Sequence, residues 1–256
     1  MGAIKFAPTK NTWHLQNLFL YLLTESYNQK ELYLYQNLWF DVRKNKMHLW
    51  DDQKGYLQIP YKKYAYVKDS SGQHISLYGE RLKRVTSFDK DDPTLHESDI
   101  PPMTRFLVDQ YTDSDESSVG HRVMFFDIEV EVTEGFPDVQ KAYNPITSIA
   151  LYDCITEKYF TYCFDPHKRI ESYEKGEEVV EFYETEYEML NKFFQKYLEI
   201  RPTIISGWNS EFFDIPYLYN RAVRILGPEV ANLLSPISQV IYSEYKKKHT
   251  IAGVSS

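Results

Sequence analysis

The side chains whose types and spacing could do chemistry are carboxylates at two points, Asp127-Ile128-Glu129 and, about 80 residues further on, Asp214. Residues two apart on a strand share one face, so Asp127 and Glu129 project together. Phosphodiester hydrolysis by two divalent ions needs several carboxylates within a few ångströms, because the ions sit about 3.5–4 Å apart to clamp the attacking and leaving oxygens. The second point lies in Ser206-Gly-Trp-Asn-Ser-Glu-Phe-Phe-Asp214-Ile-Pro-Tyr-Leu-Tyr-Asn-Arg221. Blander readings stand beside this one. Asp-x-Glu also describes a solvated strand face, and Asp214 before Pro216 also describes a helix N-cap. Capping and metal ligation are not exclusive. The flank of Asp127 weighs on the choice: Met124-Phe125-Phe126 is too apolar for a surface strand, so charges there would sit against a buried sheet and need a reason such as metal binding.

Elements must hold these carboxylates together. Arg122 to Val132 begins as a continuous apolar run and becomes a strict alternation, as in a strand emerging from a buried sheet, with Asp127, Glu129 and Glu131 on one face. Runs 146–152 and 158–164 read as two further strands joined by a turn at 153–157, an antiparallel meander, and 135–144 reads as a connecting loop. Met189, Leu190, Phe193, Phe194, Tyr197 and Leu198 repeat at helical spacing behind a capping box of Thr185 and Glu188, and Pro202 marks the helix end. Residues 203–206 form a short buried strand ending at Gly207. A second helix follows with the stripe Ile215, Leu218, Tyr219 and Val223, stopped by Gly227-Pro228. Open α/β sheets bind ligands at strand ends, where both carboxylate points fall.

Upstream, the runs 31–42, 46–51, 64–68 and 75–78, separated by turn signals, predict a β-rich N-terminal domain. The acidic, glycine-ended stretch 111–120 reads as the boundary, giving an N-terminal domain of residues 1–117 and a second domain of 118–256. At about 150 residues per domain, 256 residues allow one large or two modest domains. Charged residues at 26% and hydrophobic at 43% exclude disorder, collagen and coiled coil. The sequence has neither an 18-residue apolar run nor a signal peptide, and residues 18–23 are too short to cross a bilayer, so it reads as soluble, unexported and cytoplasmic, without a membrane partner. Two cysteines, Cys154 and Cys163, are too few for a disulfide scaffold and are taken as reduced packing residues. A net charge of -8 does not advertise a nucleic-acid binder. Small basic patches at Arg81, Lys83, Arg84 or at Lys246-Lys247-Lys248 could still grip phosphates.

Phe125-Phe126-Asp127-Ile128-Glu129 and Gly207-Trp208-Asn209 to Phe213-Asp214-Ile215-Pro216-Tyr217, in this order and at this separation, resemble the first two exonuclease motifs of family B DNA polymerases. Gly135-Phe136-Pro137, Pro145-Ile146-Thr147 and 217–221 are similar to the T-even-type phage branch. Segments at 60–67, 76–79 and 97–109 are similar to the family's N-terminal domain. The resemblance covers roughly residues 55 to 256 and leaves the first 50 unmatched. It implies a ribonuclease-H-like exonuclease domain, a mixed sheet with flanking helices. It also implies a proofreading 3′-to-5′ exonuclease in which Asp127, Glu129 and Asp214 hold two Mg²⁺ or Mn²⁺ ions and nucleoside monophosphates are released. By the same carry-over Asn209 and Phe213 seat the frayed single-stranded 3′ end of primer DNA and Phe126 packs behind the site. A core role for Phe213 is an open alternative. The implied partners are primer DNA, the remainder of the polymerase on the same or a second chain, and, through regions this chain lacks, a sliding clamp; in a virus the location becomes the host cytoplasm.

The sequence departs from the family pattern in places. The third exonuclease motif, Tyr-x-x-x-Asp, should follow the second, and no Asp follows Asp214. The only match, Tyr111 to Asp115, precedes the first motif and reads as chance. Tyr111-Thr-Asp-Ser-Asp115 and Ser76-Leu77-Tyr78 mimic polymerase palm motifs in the wrong order, so no polymerase site is expected. Glu131 stands where the phage pattern has Thr. The chain therefore reads as truncated before the third motif, either a cloned fragment or a piece of a split polymerase, and weakly active or inactive alone. A second reading is a non-catalytic nucleic-acid-binding fragment that completes a split polymerase with another chain. Its 16% aromatic content suits base stacking and a core equally. A stand-alone exonuclease would need its last ligand from Glu229, Glu244 or His249, none at the family's spacing.

Overall fold

In the computed structural model, which describes residues 35–51, 54–112, 118, 120–133, 135–244 and 247–256, strands dominate the first half and helices enter later. Strands β1 (Tyr35–Asp41), β2 (Lys46–Asp51) and β3 (Gly55–Pro60) form an antiparallel sheet. Its alternation turns Phe40, Met47 and Leu49 inward onto Tyr61 and onto Phe106 of helix α1 (Pro102–Tyr111). Strands β4 (Ala65–Lys68), β5 (His74–Ile75), β6 (Arg81–Val85) and β7 (Leu95–His96) make a second sheet in the order β5-β6-β4-β7. The β-rich N-terminal part is thus present, with two corrections. Ser76, Leu77 and Tyr78 are not strand: the Ser76 hydroxyl accepts the N–H groups of Tyr78 and Glu80 and bends the chain, leaving Leu77 and Tyr78 exposed. Tyr111 is not linker but the last residue of α1, its ring 5.4 Å from that of Tyr35. The rest of the acidic stretch, 113–117 and 119, lies outside the described residues, as do 31–34, 18–23, Lys246 and most of the unmatched first 50 residues.

The chain then builds a six-stranded sheet from β8 (Val123–Val130), β9 (Ile146–Asp153), β10 (Lys158–Phe164), β11 (Tyr173–Lys175), β12 (Glu178–Tyr183) and β13 (Ile204–Ser206). The order is β11-β12-β10-β9-β8-β13, with β8, β9 and β10 the expected antiparallel meander and β13 parallel to β8. The hairpin β11–β12 has no counterpart in the sequence reading. Its short, charged, half-exposed strands give no clean alternation, and β12 is placed by parallel pairing to β10.

Helix α2 (Glu186–Ile200) opens on the expected capping box: Thr185 accepts the Glu188 N–H at 3.2 Å and donates to the Glu188 carboxylate at 2.9 Å. It ends at Arg201, in the left-handed conformation, just before Pro202. Helix α3 (Asp214–Ile225) follows β13, and a short α4 (Pro228–Ala231) starts at the Gly227-Pro228 stop. Strands β14 (Val240–Ser243) and β15 (Lys248–Ile251) pair as a hairpin. Met124, Phe126 and Ile128 of β8 meet Leu190, Phe193 and Tyr197 of α2 and Ile215 and Leu218 of α3 in one core. Mixed strand directions with helices packed on the core face make this the ribonuclease-H-like α/β fold expected. Both cysteines are free thiols.

One polar group crosses that core. Arg221 of α3 forms a two-point ion pair with Glu186 of α2, Nε to Oε1 at 2.8 Å, both side chains being less than a tenth exposed. Glu186 also accepts the Ile146 N–H at 2.8 Å, tying the start of β9 to both helices. Removing one partner of such a pair leaves a buried charge unmatched, which typically costs about 3–5 kcal/mol. Glu186→Ala is expected to lower the unfolding free energy by that amount in a urea titration, and a loss below about 1 kcal/mol would show that the pair holds nothing together.

Candidate active site

The site arises because β13 stops early. It pairs with β8 at Val123, Met124 and Phe125 only, while β8 continues to Val130 with β9 on its other side. The chain after β13 turns back along this uncovered edge. Gly207 makes the turn possible: a Cβ there would lie 2.3 Å from the Phe126 carbonyl oxygen, so only glycine lets the backbone pass so close. Asn209 adopts a left-handed φ of 56°, which Asn tolerates better than most residues, and its carbonyl accepts the N–H groups of Phe212 and Phe213. This turn delivers the chain into α3 with Asp214 as its first residue.

Asp214 is not the helix N-cap that its neighbours allowed. The capping position is Phe213, without a side-chain cap, and the Asp214 carboxylate turns away to accept the Ile128 N–H at 3.1 Å. It thus takes a donor on the edge that β13 leaves uncovered. With 3% of its surface exposed, its pKa is pushed up to about 6, first by burial and then by the negative charges of Asp127 and Glu129, while the Ile128 N–H pulls the other way. The structure therefore brings Asp214 to the strand that bears the other two carboxylates.

Asp127 and Glu129 lie on the open face of β8 and are exposed, together with Phe125. The expectation that charges at 127 and 129 would sit against a buried sheet is corrected: the apolar run before them splits, Met124, Phe126 and Ile128 facing the core and Phe125 facing out with the two carboxylates. Among the described residues none of the three carboxylates forms an ion pair. Nor is any group of three Asp, Glu, His or Cys drawn close enough to ligate an ion. Oxygen donors bearing unbalanced negative charge suit Mg²⁺ or Mn²⁺ in kind, and three like charges hold one another apart.

Phe126 is buried against Phe193, ring centroids 6.2 Å apart, behind the strand. Phe213 is half-buried, its ring 5.1 Å from Phe136 and 5.5 Å from Tyr217, so it packs against the core as well as beside Asp214. Asn209 is exposed on the turn. Glu131 lies past the end of β8, its N–H on the Pro145 carbonyl at 2.9 Å. Of the substitutes for a last ligand, Glu229 and Glu244 are exposed. His249 is buried between the rings of Tyr219 and Tyr242, and burial lowers its pKa to about 4. Of the basic residues, Arg81 donates to the Gly72 carbonyl, Arg84 lies 3.6 Å over the Tyr64 ring, and Lys248 contacts Glu211 beside the turn. Sequence reasoning missed the polar stripe of α3, in which Tyr217, Asn220 and Arg221 all bond to carbonyls of the loop between β8 and β9. An arginine among the apolar positions of that helix was the available signal.

A strand bearing paired carboxylates, met at its open edge by a helix-borne third, defines an exonuclease domain of the ribonuclease-H-like class. Residues 105–254 match the family described as DNA polymerase family B, exonuclease domain, and the chain belongs to it. It is 35% identical over 138 residues to the DNA-directed DNA polymerase of Escherichia phage RB69, a match covering 45% of this chain and 15% of the relative. It is 32% identical over 157 residues to that of Enterobacteria phage T4, covering 50% and 17%. To the DNA polymerase of Pyrococcus glycovorans it is 30% identical over 131 residues, covering 51% and 15%. The chain thus spans 15–17% of the length of these relatives. Among the described residues no helix is long and apolar enough to cross a membrane.

Two outcomes follow from this geometry. Gly207→Ala must push the turn off β8, and the Ile128 amide should then exchange with solvent faster than in the unaltered chain; an unchanged rate would show that the close approach is dispensable. The raised Asp214 pKa also fixes a sign. The unfolded chain gives up this proton first as pH rises, so the folded state is penalised from about pH 4 and fully above about pH 6. In chelator, Asp214→Asn should therefore raise the melting temperature at pH 8, by up to about 3 kcal/mol of stability, and give no gain at pH 4.

Proposed function

We propose that this chain carries the proofreading site of a replicative family B DNA polymerase, which removes 3′-terminal nucleotides from DNA by hydrolysis. The observation that carries the reading is the bond from Asp214 to the Ile128 N–H, since it ties the acid of one motif to the strand bearing the acids of the other. Two divalent ions, Mg²⁺ or Mn²⁺, when bound would supply Lewis acidity at the scissile phosphate and a nucleophile at neutral pH. Asp127, Glu129 and Asp214 would hold them. Asp214 would bind as the carboxylate, its raised proton affinity making metal binding release a proton near pH 6. Asn209 and Phe213 would seat the frayed 3′ end, with Phe126 as the packed support behind β8. The same proposal takes in a division at the acidic stretch into residues 1–117 and 118–256, the remainder of a polymerase as partner, a sliding clamp reached through other regions, and a cytoplasmic setting.

A second reading, a nucleic-acid-binding fragment that gains activity only with another chain, is favoured by one observation: the three carboxylates are not gathered into a ligand set among the described residues. Both readings expect weak hydrolysis from this chain alone, because carboxylates that are not gathered around an ion would hold it loosely and misdirect the nucleophile. The test uses 5′-labelled single-stranded DNA with Mg²⁺ or Mn²⁺. At most slow, stepwise shortening is expected, abolished by Asp127→Ala and by Asp214→Ala. Rapid degradation by the chain alone would overturn the expected weakness, and shortening that survives both substitutions would overturn the assignment of the site.

A further inference from the structure

The loop between β8 and β9 joins the two halves of the candidate site. Tyr217, fully buried and one helical turn past Asp214 on α3, donates its hydroxyl to the Asn144 carbonyl at 2.8 Å. The Asn144 side-chain amide donates in turn to the Glu131 carbonyl at 2.8 Å, and the Glu131 N–H returns to the Pro145 carbonyl at 2.9 Å. Thr147 completes the link by donating its hydroxyl to the Glu129 carbonyl at 3.1 Å. One turn further along α3, Arg221 holds the carbonyls of Ala142 and Tyr143 at 3.1 and 2.7 Å, and Asn220 holds that of Val139 at 2.9 Å. The helix that supplies one acid is thereby bonded to the backbone just past the other two.

We propose that Tyr217 and Asn144 are positioning residues that fix the separation between Asp214 on α3 and the Asp127–Glu129 pair on β8. The proposal rests on the nuclease reading above. Without the link, Asp214 would be held to β8 by its bond to the Ile128 N–H and by the packing of Ile215 and Leu218, and the end of β8 past Glu129 would be free to move with the loop. Three mutually repelling carboxylates need such a mechanical restraint, since their own charges drive them apart. Outer contacts that orient metal ligands commonly change metal affinity by about 10–100-fold when removed.

The test compares substitutions that remove one polar group each in the full 256-residue chain. Tyr217→Phe deletes the hydroxyl and keeps the ring, and Asn144→Ala deletes the amide while keeping the carbonyl that Tyr217 uses. Tyr197→Phe is the control, because its buried hydroxyl donates to the Leu234 carbonyl at 2.7 Å, a comparable bond outside the link. The readouts are amide exchange at Ile128 and Glu131 and the affinity for Mn²⁺ measured from the free-ion paramagnetic signal. Tyr217→Phe and Asn144→Ala are expected to speed exchange at both amides and to weaken Mn²⁺ binding about tenfold, while Tyr197→Phe does neither at a similar loss of melting temperature. Equal behaviour of Tyr217→Phe and Tyr197→Phe in both readouts would overturn the proposal. Faster exchange with unaltered Mn²⁺ affinity would overturn the positioning role. An Asp214→Ala chain that binds Mn²⁺ as well as wild type would instead sink the nuclease reading, and the exchange rates would still decide whether Tyr217 restrains β8.

Discussion

The candidate site depends on a difference in length between two neighbouring strands. β13 accompanies β8 for three residues and stops, and β8 runs on with backbone donors and acceptors facing a vacated edge. Buried backbone groups must find partners, so something has to come back along that edge. Gly207 lets the returning chain pass against Phe126, and Asp214 satisfies Ile128. That contact sets an acid beside a strand that already carries two, and the same hydrogen bond meets a structural need and assembles a candidate site.

The arrangement carries a cost in charge. Asp214 is buried with two negative neighbours and without a cationic side chain paired to it among the described residues, which raises its proton affinity. A group perturbed by burial and by like charges beside it is a candidate for a functional site. The contrast with Arg221 and Glu186 is instructive. That pair is buried too, but it is matched in charge and its hydrogen-bonding capacity is spent on loop carbonyls and on Ile146. One polar cluster is satisfied and holds the fold, and the other is unbalanced and suits a cation.

The chain belongs to the family B polymerase exonuclease domains, and the phage relatives extend far beyond the matched region. The 105–254 match takes in both carboxylate points and the whole six-stranded sheet. Its first residue, Arg105, belongs to α1, whose Phe106 packs under the three-stranded sheet.

Much of the frame was legible in the sequence because it rests on local periodicity and local caps. The capping pattern at Thr185 and the stripe of α3 involve residues within a few positions of one another, and each strand of the meander β8–β10 shows in its own run, with a short turn joining β9 to β10. The hairpin β11–β12 was not legible, since its strands owe their conformation to pairing with β10 rather than to their own pattern. Nor did the run before Asp127 reveal that Phe125 faces outward, because a continuous apolar run does not say which of its faces is covered. The residue types and spacing of Asp127, Glu129 and Asp214 were fixed by the sequence alone. Tertiary structure decided that Asp214 abandons the helix cap for the Ile128 amide, that Gly207 is the point of closest approach, and that Tyr217 reaches Asn144. Each of these joins residues more than 70 positions apart in the chain, and such contacts are set by how the sheet edge ends and not by any local preference.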